Sequence, residues 1–119
     1  MSDEMRRNSH WLAKTDPKRV FEILEQLRTD MSRRHEYEQA LLYASELKAR
    51  QCLNTANVPT MLYIFYLNFA REVYRLKKRF AGDSLEREVN VLLEKWVART
   101  LDRTVLERIR YEVMTIGAP

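Results

Sequence analysis

Helix-breaking residues are scarce in this chain, and their positions are regular. Of its 119 residues only Gly82 and Gly117 are glycine and only Pro17, Pro59 and Pro119 are proline. Inside a helix a glycine costs ~1 kcal/mol and a proline ~3 kcal/mol relative to alanine. All five fall between runs of apolar residues spaced three and four apart, where helices start or stop. The pattern predicts an all-α chain with no strand.

The elements follow from periodicity and capping chemistry. Asp16 and Pro17 read as an N-cap and first turn, after which Val20, Ile23, Leu24, Leu27 and Met31 recur at helical spacing. A break is expected at 30–32. A second helix then runs to about Leu53 with Tyr37, Leu41, Ala44 and Leu47 inward. The polar stretch NTAN, 54–57, precedes a third helix that begins near Pro59 and ends at Gly82. Asp83 with Glu86 has the form of a capping box for a fourth helix, whose inner face is Leu85, Val89, Leu92, Leu93 and Trp96. A fifth starts from Asp102, or from Thr104 with Glu107, and carries Val105, Leu106, Ile109, Val113 and Met114 until 117–119 stop it.

The length suits one domain with a real core, residues 1–119. Hydrophobic content is 45% and charged content 32%, a globular balance. The 21 basic residues exceed the 17 acidic ones by +4, and fifteen of the basic residues are arginine, the better side chain for forked contact with phosphate. The single Cys52 excludes an internal disulfide and a cysteine-based zinc cluster, and fits a reducing compartment. The N-terminus lacks the apolar core of a signal peptide, and the longest apolar run, 61–67, is far short of the ~20 residues of a membrane helix.

The third helix, YIFYLNFAREVYRLKKRF over 63–80, is aromatic at one end and basic at the other. Leu62, Phe65, Tyr66, Phe69, Val73, Leu76 and Phe80 form one stripe; Tyr63, Leu67, Ala70 and Tyr74 form a second. Two stripes require two neighbours. Either the helix is the centre of a bundle, or one stripe meets a second subunit, for which tyrosines are suited because the ring can be buried while the hydroxyl stays wet. On the second reading Tyr63, Leu67 and Tyr74 form the dimer interface, and Leu67→Glu is expected to give monomers or failed assembly.

Catalytic patterns are missing. The sequence has no glycine-rich phosphate loop, no HExxH, no CxxC, and no serine or cysteine set beside a histidine. Arg28 and His35 stand seven apart, loosely like the pair of small helical ribonucleases, but across an expected break instead of at the head of a late helix. Glu36 and Glu38, two apart on a helix, point to different faces. The expectation is a non-enzyme with no metal and no cofactor.

From Tyr66 onward the chain resembles the major coat proteins of rod-shaped and filamentous double-stranded DNA viruses of archaea. The likeness is carried by YLNFAREVYRL (66–76), the break AGDSL (81–85), the helix-turn-helix EKWVARTLDRTVLERI (94–109) and the ending IGAP (116–119), about the last half of the chain. The resemblance implies a helical arm over 1–35 and a four-helix-bundle-like part over 36–119. It also implies a dimer of identical or paralogous chains, arms that wrap A-form DNA, stacking into a helical virion, and synthesis in the host cytoplasm. Relatives often carry small and polar residues at the N-terminus, whereas residues 1–35 here hold eight basic and six acidic side chains.

A coat must hold every sequence alike, so its contacts should reach phosphates and groove shape and not base edges. On charge and position the expected DNA-facing residues are Arg6, Arg7, Lys14, Lys18, Arg19, Arg28, Arg33 and Arg34, with Lys48 and Arg50 next. Arg71, Arg75, Lys78 and Arg79 could join them, or pair with acids of a neighbouring subunit. Two other classes use the same features: a helical subunit of a cellular nucleoprotein complex, and a protein-only adaptor that holds its partner through the aromatic stripes.

Overall fold

The computed structural model describes residues 17–116, and they form five α-helices. Asp16, Arg6, Arg7, Lys14 and the stop at 117–119 lie outside the described residues.

Helix α1 (Pro17–Leu27) has proline in its first turn and turns Val20, Leu24 and Leu27 inward. It ends one turn earlier than its apolar spacing suggests. The Asp30 carboxylate accepts from the Ser32 backbone N–H at 3.1 Å and from its hydroxyl at 2.6 Å, a local bond that competes with helix continuation. A single 3₁₀ turn, Met31–Arg33, follows and hands the chain to α2. Met31, expected on the inner stripe, is consequently 74% exposed.

Helix α2 (Arg34–Thr55) is 22 residues long, about 33 Å at 1.5 Å per residue. It is flanked by α1 on one side and by α3 and α5 on the other, so no single stripe describes it. Its buried residues, Tyr37, Ala40, Ala44, Ser45, Ala49, Cys52 and Leu53, are mostly small and let neighbours approach closely, while Leu41 and Leu47 are only half-buried. The buried Ser45 hydroxyl donates to the Leu41 carbonyl at 2.9 Å. Asn57, at φ +58°, ends the helix: the Val58 and Asn57 N–H groups return to the carbonyls of Leu53 and Asn54. Asparagine tolerates the left-handed backbone that this closure needs.

After a 3₁₀ turn at Thr60–Leu62 comes α3 (Tyr63–Arg79). It stops at Arg79, not at Gly82, because Phe80 is extended (φ −125°, ψ 161°). Gly82, at φ +56°, instead opens α4 (Gly82–Val97). The expected capping box does not form: Ala81 is the N-cap with no side-chain bond, and Asp83 sits inside the first turn, where its charge complements the helix N-terminus. Helix α5 (Arg103–Thr115) is capped by Asp102, whose carboxylate accepts from the Val105 N–H at 3.2 Å.

Residue pairs give the directions. α2 and α3 are antiparallel, joined at Tyr63 to Asn54, Arg71 to Glu46 and Lys78 to Glu38. α5 runs parallel to α3: the Tyr66 hydroxyl accepts from the Asp102 N–H near its start, and Lys77 reaches the Val113 carbonyl near its end. α4 runs against both, with the Trp96 indole donating to Glu72 at 3.1 Å and Glu94 paired to Arg103. Helices α2 to α5 share one core, in which Leu53, Phe69, Val73, Val89, Leu106, Ile109 and Val113 are fully buried. A smaller cluster seats Val20, Leu24 and Leu27 of α1 on Tyr37, Ala40 and Ala44 of α2 and on Ile116.

Both stripes of α3 are therefore covered by its own chain. Tyr63 and Tyr74 bond to α2 at Asn54 and at the Glu38 carbonyl, and Leu67, between them on that face, is 4% exposed. This corrects the proposed dimer interface: Leu67 and Tyr74 are core residues, and only Tyr63 keeps appreciable surface. Phe65 departs in the other direction, from the inner stripe to 44% exposure.

Two stability measurements check this packing. Leu67→Glu should unfold or destabilise the isolated chain by roughly 3–5 kcal/mol in urea denaturation, because the charge is buried without a partner. A stable, folded monomer would return the residue to an interface. Thr100 ends α4 at φ +68°, a backbone that a β-branched side chain resists. Thr100→Gly should raise stability by about 1–2 kcal/mol, and a loss would show that the Thr100 side chain earns its place.

Candidate nucleic-acid interface

Two basic segments far apart in sequence, 28–34 and 75–79, meet at one end of the molecule. The antiparallel pairing of α2 and α3 brings them together: the start of α2 lies against the end of α3, and α1 ends beside the same turn. The two segments hold seven cations, Arg28, Arg33, Arg34, Arg75, Lys77, Lys78 and Arg79, and one acid, Asp30, while Glu25, Glu36 and Glu38 pair with them from the flanking turns. The segments themselves are strongly basic in a chain of net +4.

Most of these cations are held by short-range partners. Arg28 pairs with Glu25 at 3.4 Å, and Arg33 with Glu36 through its Nε at 3.0 Å. Glu38 is shared, by Arg34 at 3.8 Å and by Lys78 at 3.3 Å, which ties α2 to α3. The Arg34 guanidinium lies over the Tyr37 ring at 5.1 Å, and the Lys78 ammonium is 5.8 Å from the Tyr74 ring. Arg75 and Arg79 are exposed, Arg79 resting against Phe80 at 5.6 Å. Exposed pairs of this kind are worth ~0–1 kcal/mol, so a phosphate can replace the carboxylate at little cost.

Lys77 is the exception. Its ammonium turns inward and donates to the carbonyls of Val113, at 3.1 Å, and Ile116, closing the otherwise open end of α5. Burial lowers its pKa. It holds the fold at this end and does not present charge to a ligand.

The remaining expected contacts lie elsewhere. Arg71 is bound to Glu46 at 2.7 Å and to Asn68 at 3.2 Å, with Glu46 only 18% exposed, which makes it a tie between α2 and α3. Lys48 reaches Glu112 at 3.9 Å and lies 4.9 Å from the Phe21 ring, joining α1, α2 and α5. Arg19 pairs with Glu22 at 3.0 Å, and Lys18 and Arg50 are exposed. Among the described residues no group of three or more histidine, cysteine or acidic side chains is placed to hold a metal, and no helix is long and apolar enough to cross a membrane.

At the opposite end, sequence reasoning missed a second feature. Met61, Ile64 and Phe65 are 79%, 51% and 44% exposed, and Trp96 lies 6.4 Å from Phe65 with Arg99 and Lys95 beside its ring. The signal was available in the spacing 61, 64, 65, which shares one helix face. Comparison of the chain with family models, curated proteins and solved structures finds no match.

The pairing of α2 with α3 under the basic end has a pH signature. Burial, reinforced by Glu38, pushes the Tyr74 hydroxyl up to about 12. The folded chain then holds that proton more tightly than the unfolded one, so the contribution is complete below pH ~10 and is lost as pH rises through ~12. The lowered Lys77 has the opposite sign and favours folding as pH rises. Tyr74→Phe should cost about 1 kcal/mol at neutral pH and should remove an alkaline loss of about 2–3 kcal/mol, read by urea denaturation at stepped pH. Identical alkaline slopes for both proteins would place the loss in another group.

Proposed function

We propose that this chain is a structural coat protein that dimerises, covers double-stranded DNA without regard to sequence and assembles into a helical virion. The observation that carries the reading is the convergence of segments 28–34 and 75–79 into one basic end, together with the resemblance of residues 66–119 to coat proteins of archaeal filamentous viruses. On this reading residues 1–35 are the arm and residues 36–119 a four-helix bundle. The seat of α1 supports that division, because its cluster counts seven buried residues against eighteen in the main core. Moving α1 from α2 onto a duplex would disturb far less packing than opening the bundle.

The chemistry of the basic end suits phosphate rather than base edges. Duplex DNA presents a charge every ~1.7 Å of axis, and its condensed counterions are released as arginine and lysine replace them. Arg28, Arg33, Arg34, Arg75, Lys78 and Arg79 are the residues assigned to this contact, whereas Arg71 and Lys48 serve the fold. A coat closed over the duplex excludes water, a condition that favours the A form.

Binding to unrelated duplexes of equal length should be equally tight and should fall steeply with salt. Arg75→Gln with Arg79→Gln should weaken it for every sequence alike and lower the salt slope by about 1 per residue. Preference for one sequence, or binding indifferent to salt, would refute the coat reading. Negative-stain images of the protein with DNA should show filaments, where discrete particles would instead indicate a subunit of a cellular nucleoprotein complex.

A further inference from the structure

The exposed apolar knob at one end of the bundle has a counterpart elsewhere on the same chain. Between α4 and α5 lies a groove of about 510 Å³, lined by Leu85, Glu86, Glu107, Arg110, Tyr111 and Met114 beside Gly82. That volume is within the range of pockets that take apolar groups. Tyr111 is 67% exposed although its ring stands at the groove wall. The two acids outnumber the one arginine, and Arg110 is already engaged by the Asn90 side-chain oxygen at 2.5 Å. The knob of Met61, Ile64 and Phe65 has the opposite balance at its Trp96 border, where Lys95 and Arg99 outnumber the one acid, Glu72, that the indole engages.

Knob and groove cannot meet within one chain. Leu85 and Trp96 mark their levels on α4, eleven residues and so about 16 Å apart along the helix. They also lie on different elements, the knob on the 3₁₀ turn and first turn of α3 and the groove on the α4–α5 seam. We infer that the Met61–Ile64–Phe65 knob of one copy docks in the Leu85–Tyr111–Met114 groove of the next, with Lys95 and Arg99 set toward Glu86 and Glu107. Such a contact uses two different patches, so it leaves a free knob and a free groove after every addition. It builds rings or open helical rows, not a closed two-fold pair. The inference deepens the coat reading by naming a contact that strings copies together, but it needs no DNA and is measured without it.

Sedimentation velocity of the full chain in the absence of nucleic acid tests the contact. The unaltered protein should associate in a concentration-dependent series. Ile64→Glu, at the knob, and Tyr111→Glu, at the groove, alter exposed residues and should each weaken association by about 30-fold or more, as loss of a central apolar contact does. Circular dichroism should show both variants folded. The decisive sample is their mixture: the groove of the Ile64→Glu chain and the knob of the Tyr111→Glu chain remain intact, so 1:1 pairs should form and grow no further. A monomeric unaltered protein, a variant that associates as before, or a mixture that stays monomeric would each overturn the inference. A separate salt titration with DNA keeps the two readings apart, since self-association without DNA binding would refute the coat and leave the knob-in-groove contact standing.

Discussion

Burial of α3 on two sides is the constraint on which the rest of the structure depends. Phe69 and Val73 are fully buried, and Tyr66, Leu67 and Tyr74 nearly so, which forces α2, α4 and α5 to gather around one helix. The tyrosines make that helix possible in a bundle of this size. Tyr66 and Tyr74 bury their rings and Tyr63 does so in part, and each hydroxyl finds a partner: Tyr63 at Asn54, Tyr66 at the Asp102 backbone, Tyr74 at the Glu38 carbonyl. A buried hydroxyl without such a partner would cost more than the ring gains at its margin. These three bonds set the antiparallel register of α2 and the parallel register of α5, and with them the two ends of the molecule.

The ends differ because α3 itself is polar along its length. Its C-terminal turn carries Lys77, Lys78 and Arg79, which complement the helix dipole, and the register set by Tyr74 brings the basic start of α2 beside it. Its N-terminal turn and the 3₁₀ turn before it carry Met61, Ile64 and Phe65, which stay largely exposed although Phe65 touches Trp96 on one side. In the proposed coat the basic end meets phosphate and the apolar end meets another copy, so one helix would supply both the reason to bind DNA and the reason to assemble on it.

Charge does two kinds of work here, and burial separates them. Arg28, Arg33, Arg34 and Lys78 sit in exposed pairs whose partners a polyanion can replace, whereas Arg71 and Lys77 are drawn into contacts between helices. Composition weighs all of these residues equally. Only their surroundings distinguish a cation available to a ligand from one that closes a helix end.

The sequence by itself determined the helical character and most element boundaries, because proline, glycine and capping residues act over three or four positions. Pro17, Asp102 and the polar break after Leu53 work wherever the rest of the chain lies. The inner faces of α4 and α5 were legible for the same reason, each being a single stripe against one core. Three things were decided only by tertiary structure: which stripe of α3 faces which neighbour, which cations are consumed as ties, and which apolar residues stay outside. Leu67 and Tyr74 became core because α2 folds back over them, and Phe65 stayed partly at the surface because Trp96 of α4 covers only one side of its ring. Such outcomes depend on contacts between segments tens of residues apart, and the spacing within any one helix does not encode them.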